Sequence, residues 1–406
     1  MQLLFLAHRF PWPPNKGDKI RAYHQLRALA QAGHAVNLLA FADTVSDTRI
    51  GELSSLCVSA ETIVLNRSRA SVRALLGLTG KASLSSRYFD SAAMHRAVRR
   101  TLATRACEGV VAVSSSMTQY VPRRLVDSTL VDLVDVDSAK WAEYSRRAHF
   151  PRSWLYGSES HRLRLYEQAI LDQFPRVLVT TESEARALRS GRISNDKVKV
   201  ITQGVDLNYF RPISGTFVSD GRACDGPRLV FTGTMDYWPN VDAVTCFAEH
   251  VFPTIKAQAP EATFHIVGRN PAREVRRLAR VDGIRVTGEV PDVRPYLASA
   301  TVFVAPLRMA WGIQNKVLEA MASGLAVIAT PRAMAGIAAA HDRHALIVDE
   351  PREMANAILR VIHDAPLRAR LGHAARCLVE AEHRWGPPMD HFVSMFESVA
   401  KRQAAI

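Results

Sequence analysis

Residues 312–324 read GIQNKVLEAMASG and gather residue types that could bind a charged ligand. They follow the apolar run TVFVAP at 301–306, which reads as a buried parallel strand. A strand, a short loop and a helix opening on Gly312 and Gln314 make an anion site, because the first amides of a helix have no internal partner. Lys316 adds a positive charge in that first turn, where the helix dipole alone would disfavour one. Glu319, three residues on, shares its face. A cation for a diphosphate and a carboxylate for sugar hydroxyls, one turn apart, suit a sugar nucleotide. Read alone, such a pair is more usually a solvated surface pair. Val317, Leu318, Met321 and Ala322 make the other face apolar, which predicts a helix docked on a core with Gly324 as its C′ residue.

The elements that must position these residues follow an alternating pattern. Apolar runs at 3–7, 36–41, 110–113, 130–136 and 177–179 read as strands, and 19–32 as a helix with Ile20, Leu26, Leu29 and Ala30 inward. The segment 208–227, with Pro212, Gly215, Gly221 and Gly226-Pro227, reads as a linker between residues 1–207 and 228–384. The pattern restarts with strands at 228–231, 262–267, 284–287, 301–305 and 326–329 and a helix at 241–252. Residues 385–406 hold a final helix (391–399) expected to pack back on the first domain. The predicted class is α/β, with two doubly wound parallel sheets.

A chain of 406 residues is long for one core. It contains no apolar stretch of 18 residues, so no membrane-spanning helix is expected, and residues 1–8 read as a strand and not as a signal peptide. Five scattered cysteines without CxxC spacing indicate neither a disulfide framework nor a zinc site, which fits a reducing cytoplasm. The net charge of +13 is uneven: residues 1–200 hold 29 Lys and Arg against 18 Asp and Glu, and residues 201–406 hold 23 against 21. Arg67, Arg69, Arg73, Lys81 and Arg87 share one acid-poor stretch. A basic first half favours an anionic partner such as a membrane surface; a high arginine content alone would give the same count. No signature of a nucleic-acid-binding module is present. There is no GxGxxG after a strand, no GxxxxGK[ST] and no GxSxG, which counts against a dehydrogenase, an ATPase and an α/β-hydrolase.

The chain resembles the retaining family 4 glycosyltransferases of the GT-B fold, in which two Rossmann-like domains face a cleft. The resemblance rests most on 312–324 with the following LAVIAT, then on QGVD at 203–206 with Phe210 and Pro212, on FTG at 231–233 with PNVDA at 239–243, and on VTGEV at 286–290 with Pro295-Tyr296. The segments FTGTMDYWPN, GIQNKVLEAMA and VDVDS are similar to bacterial exopolysaccharide sugar transferases found beside exosortase systems. The resemblance implies a cytoplasmic protein, or one peripheral on the inner membrane, that passes a sugar to a saccharide or lipid-linked acceptor. It implies a nucleotide-diphosphate sugar as donor, no cofactor, no required metal and no nucleic-acid partner. One departure stands out: where many members carry a second Glu, eight residues before Glu319, this chain has Trp311.

On that resemblance, Lys316 would neutralise the departing diphosphate, assisted by Gly312, Gln314 and Asn315. Glu319 would accept the ribose hydroxyls with no need of a shifted pKa. Gly233 would let the backbone approach the phosphates, and Val290 would flank the base. The loop PPNKGD at 13–18 is similar to the family's glycine loop, which implies acceptor contacts from Gly17, Asp18 and Arg21; Asp18 also reads as a helix N-cap. Asp135 and Asp137 end a strand in the first domain. A carboxylate there could take the acceptor's proton, or cap the helix beginning near residue 139. Literally D-x-D, the pair also matches the metal-nucleotide motif of another glycosyltransferase fold, a role that its place on the acceptor side disfavours. Two further readings compete: a sugar-nucleotide 2-epimerase of the same fold, and a scaffold without catalysis, which Trp311 would favour.

Overall fold

The computed structural model of the chain describes residues 1–42, 50–78, 80, 82–189, 196–213 and 226–404. Lys81, Cys224 and residues 214–225 of the expected linker lie outside the described residues. The chain divides into two compact units, Met1–Thr202 with Gly386–Ile406, and Gln203–Trp385.

The first unit is a seven-stranded sheet: β1 (Gln2–Ala7), β2 (Ala35–Ala42), β3 (Ser59–Val64), β4 (Gly109–Val113), β5 (Thr129–Asp132), β6 (Arg176–Val179) and β7 (Val198–Val200). Their spatial order is β3-β2-β1-β4-β5-β6-β7, and every pairing is parallel. Helices cover both faces of such a sheet, so its central strands are largely apolar; GVVAV of β4 is buried at all five positions. The strand order reverses between β1 and β4, which opens a crevice at the carboxyl ends of those strands.

The second unit repeats the plan with β8 (Arg228–Thr232), β9 (Thr263–Val267), β10 (Ile284–Gly288), β11 (Val302–Ala305), β12 (Val327–Ala329) and β13 (Leu346–Ile347). The order is β10-β9-β8-β11-β12-β13, again all parallel. Its reversal lies between β8 and β11. Two doubly wound α/β units are therefore present, as the alternating pattern predicts.

Three strands escape the sequence pattern for local reasons. β3 is an edge strand, only partly buried along most of its length, and β7 and β13 are three and two residues long. The expected strand at 130–136 stops at Asp132. Val134 takes a left-handed φ of 66°, and the Asp132 carboxylate accepts its amide at 3.0 Å.

The first helix, Gly17–Gln31, turns an unexpected face inward. Ile20 and Ala30 are only partly buried, whereas Arg21, His24 and Gln25 are buried with Leu26 and Leu29. The reason is Asp132, which is fully buried and accepts from Arg21 Nε at 2.6 Å and from Gln25. The final helix, Gly386–Ala404, belongs to the first unit: Phe396 is buried 5.7 Å from the His34 ring, and a Cβ on Gly109 would meet the Phe396 ring at 3.0 Å.

Candidate functional site

The site in the second unit is built where its strand order reverses. β8 ends at Thr232 and Gly233 follows; β11 leads into the loop that precedes the helix Asn315–Ala322. That helix docks as predicted, with Val317, Leu318, Ala320, Met321 and Ala322 buried. Gly324 follows it with a left-handed φ of 74°.

Lys316 reaches back across the reversal. Its Nζ donates to Asn240 Oδ1 in the helix Trp238–His250 and lies 4.4 Å from the centroid of the Phe231 ring on β8. Asn240 is in turn fixed by its Nδ2, which donates to the Thr234 carbonyl at 2.9 Å. Gly233 leaves room for both groups: a Cβ there would stand 2.7 Å from Asn240 Nδ2 and 3.0 Å from Lys316 Nζ. The sequence reading gave Gly233 a different role, backbone approach to phosphates. Its own N–H donates to the Val267 carbonyl at 3.0 Å, so the absent side chain, which makes space for the ammonium, is what this geometry uses. Gly268 is tighter still. With φ of 153°, its Cβ would fall 1.6 Å from the Gly233 carbonyl oxygen, so two backbones touch behind Lys316.

The electrostatics of the pair differ from expectation. Burial pushes the Lys316 ammonium down to about 7, with Glu319 opposing the shift. Burial likewise pushes Glu319 up to about 7 against the pull of Lys316. Glu319 was expected to need no shift; the apolar core beneath its helix supplies one.

The helix opens later than the sequence suggested. Gly312 has a left-handed φ of 60° and sits in the loop before the helix. Gln314 is the N-cap in extended conformation, and its side-chain amide folds back to the Trp311 carbonyl at 2.9 Å. Asn315 and Lys316 are thus the first helical residues. The Asn315 Oδ1 is buried without a hydrogen-bond partner. Val290 lies two residues beyond Gly288, at the end of β10, partly buried against the core. Glu289 beside it is exposed.

The first unit gathers a second set of groups at the carboxyl ends of its own strands. Gly17 opens the first helix and is exposed. Asp18 is not the N-cap, a position held by Lys16. It lies in the first turn, where His8 Nε2 at 3.0 Å and Arg9 Nη1 at 2.7 Å meet its Oδ2, and the Lys19 amide donates to Oδ1 at 3.0 Å. Burial would raise its pKa, but the His8 hydrogen bond and the Arg9 charge prevail and hold it far below the usual carboxylate range. Arg21, expected at the acceptor, is 0% exposed and paired with Asp132 inside the unit, with Nη1 donating to the Ile201 carbonyl at 2.8 Å. A guanidinium so enclosed meets no ligand while that pair stands; it belongs to the fold.

Asp135 and Asp137 flank the start of the helix Asp137–Arg147, and neither caps it. Two carboxylates serve that helix entry: Glu167, which the sequence does not single out, and Glu184, which reads from the sequence as a first-turn acid of the helix Glu182–Arg189 and is one. Glu167 accepts from the Ser138 amide at 2.9 Å and from its hydroxyl, and Glu184 accepts from the Val136 amide at 3.4 Å. Glu184 also completes a capping box with Thr181: each side chain accepts from the other's amide, at 3.1 and 3.2 Å. The spacing Thr181-x-x-Glu184 is the sequence signature of that box. Asp137 contacts Lys140 at 3.4 Å. Burial pushes Glu167 up to about 7 against its hydrogen bonds from Ser138, and Asp135 titrates in the same range. Burial pushes Asp135 up to about 7, Lys140 opposes, and Glu184, Asp137 and Asp18 push further. Among the described residues no group of three or more His, Cys, Asp or Glu is arranged to hold a metal ion. No described helix is long and apolar enough to cross a membrane.

Two doubly wound units, the second with a cation and a carboxylate at its topological switch point, define the GT-B class of fold. Residues 226–364, which lie within the second unit, match the family model described as glycosyl transferases group 1. Solved structures match over nearly the whole chain. Sucrose-phosphate synthase from Thermosynechococcus elongatus is 19% identical with a TM-score of 0.76, covering 98% of this chain and 99% of its own. Anabaena HepE in complex with UDP is 14% identical with a TM-score of 0.67, covering 98% and 100%. WaaG, a glycosyltransferase involved in lipopolysaccharide biosynthesis, is 15% identical with a TM-score of 0.67, covering 96% and 98%. No curated sequence matches the chain.

Proposed function

We propose that the chain is a glycosyltransferase that moves a sugar, with retention, from a nucleotide-diphosphate sugar to a glycan or lipid-linked acceptor in bacterial exopolysaccharide assembly. The observation that carries the reading is Lys316. It is held over Phe231 by Asn240 in a space that Gly233 keeps open, one turn from Glu319. HepE, of similar fold, has been solved with UDP, with UDP and glucose, and with UDP-glucose.

In this reading Lys316 and the first amides of its helix meet the diphosphate, where negative charge develops as the sugar leaves. Glu319 accepts the ribose hydroxyls and Val290 flanks the base. Asp135, titrating near neutrality, takes the acceptor's proton, with Asp137 and Lys140 tuning it. Gly17 and Asp18 stand on the acceptor side. The reaction needs no bound metal, and the protein works in the cytoplasm at the inner membrane.

The test is turnover by the full chain. Labelled nucleotide sugars are offered with saccharide and lipid-linked acceptors, and the anomeric configuration of the product is read by NMR. Transfer with retention that persists in excess EDTA is expected. Sugar released only as a 2-epimerised product, with no acceptor dependence, would favour an epimerase. Nucleotide binding with no turnover would favour a scaffold, the reading that Trp311 suggests.

A further inference from the structure

The helix Arg67–Leu76 is built inside out. Ala70 is its one buried residue, while Val72, Leu75 and Leu76 are 56%, 65% and 75% exposed. Positions i, i+3 and i+4 share one face, so these three side chains form an apolar stripe turned to solvent. Folding gains nothing from such a stripe.

The charge around it is of one sign. Between Glu61 and Asp90 the sequence has no acidic residue. Arg67 and Arg69 are exposed on the first turn of the same helix, which Asn66 caps by accepting the Arg69 amide at 3.0 Å. Arg73 and Arg87 turn the other way and hold the helix down. Arg73 Nη2 contacts the Tyr88 carbonyl at 3.5 Å, and the Arg87 stem packs where a Cβ on Gly77 would sit. The support beneath is firm, because Arg162 donates to the Leu78 carbonyl and the buried Glu159 accepts the Leu84 and Ser85 amides at 2.7 and 2.9 Å. The helix thus presents apolar side chains beside Arg69, with Arg67 exposed at its N-terminal end.

We infer that the helix Arg67–Leu76 docks the protein on an anionic phospholipid surface, with Val72, Leu75 and Leu76 entering the interface and Arg67 and Arg69 on the headgroups. Basic flanks beside a narrow apolar face are the composition of helices that lie in a membrane interface. A second copy of the chain is the poorer occupant, since a two-fold contact would set the arginines of both copies against each other. The inference names the surface that would bring the protein to a lipid-linked acceptor, but it does not depend on transfer activity.

The test is co-sedimentation of the full chain with vesicles of phosphatidylcholine plus phosphatidylglycerol, against phosphatidylcholine alone. Wild type should bind the anionic vesicles at low salt and leave them at high salt. Leu75→Ser with Leu76→Ser should lower the partition by roughly tenfold or more. Arg67→Gln with Arg69→Gln should lower it by roughly fivefold per arginine. Arg276→Gln with Arg277→Gln, an equal charge change on exposed residues of the second unit, should leave it unchanged. Unaltered thermal unfolding and UDP affinity in all three variants keep loss of fold or of donor site out of the result. Equal binding to neutral vesicles, or equal loss from the Arg276/Arg277 variant, would overturn the inference. So would a Leu75/Leu76 variant that binds as wild type does.

Discussion

Replacing Lys316 and Glu319 one at a time should change the number of protons that accompany nucleotide binding, with opposite signs. In the free protein burial brings both groups to about 7, Lys316 from above and Glu319 from below. At pH 7 each is therefore about half protonated. A diphosphate against Lys316 favours the ammonium, so binding takes up roughly half a proton there. Ribose hydroxyls donating to Glu319 favour the carboxylate, so binding releases roughly half a proton, and in wild type the two nearly cancel. Glu319→Gln removes the release and also the anion that helps Lys316 keep its proton. Net uptake of between about half and one proton should remain, and affinity should fall as pH rises through 7, by up to roughly tenfold per pH unit. Lys316→Met removes the uptake and leaves Glu319 more protonated, so binding should release protons and strengthen as pH rises through 7. The loss of a charge-assisted contact should weaken its affinity at pH 7 by about 1.5–3 kcal/mol. Calorimetric titration with UDP in buffers of differing ionisation enthalpy reads the proton count directly. Equal proton counts in the two variants would refute the assignment of these residues to diphosphate and ribose.

Three other outcomes are expected. Gly268→Ala sets a Cβ 1.6 Å from the Gly233 carbonyl oxygen at a φ that side chains rarely adopt, so thermal unfolding should show a loss of about 3 kcal/mol or more and weakened UDP binding; unchanged stability would mean the two backbones can separate freely. Asp132→Ala leaves the Arg21 guanidinium buried without its carboxylate and should cost about 3–5 kcal/mol by denaturant unfolding, with UDP affinity retained once the protein is folded. Asp135→Asn should remove the acidic limb near pH 7 from the kcat profile while leaving donor KM within about twofold, since the residue is placed at the acceptor; a profile that keeps its limb would assign the proton transfer elsewhere.

Two features of this chain were legible because they repeat on a scale the sequence displays. Buried parallel strands leave continuous apolar runs such as VVAV at 110–113, and a docked helix leaves the spacing of Val317, Leu318 and Met321, so the doubly wound units could be read. Residues of the second site were partly legible for a different reason: Lys316 and Glu319 sit one turn apart on a single helix, a distance the sequence states. Asn240 and Phe231, which hold Lys316, lie more than 70 positions away, and only the crossing of β8 and β11 brings them together. The pKa shifts were invisible because they come from burial, which no local pattern reports. Arg21 misled because an arginine near a loop reads as a ligand contact. Its partner Asp132 is 111 residues distant, at the end of a strand that the apolar pattern carried too far.

The central claim is that the second unit holds a nucleotide diphosphate at Lys316 and Glu319. It is tested most directly by measuring the binding of UDP, GDP, dTDP, CMP and ADP to the full chain, wild type and the variants Lys316→Ala and Glu319→Ala, by calorimetry and thermal shift. One nucleoside diphosphate should bind and raise the unfolding temperature of wild type, and both variants should lose most of that affinity while keeping the unliganded fold. Nucleotide binding that both substitutions leave intact, or no binding of any of the five, would contradict the account.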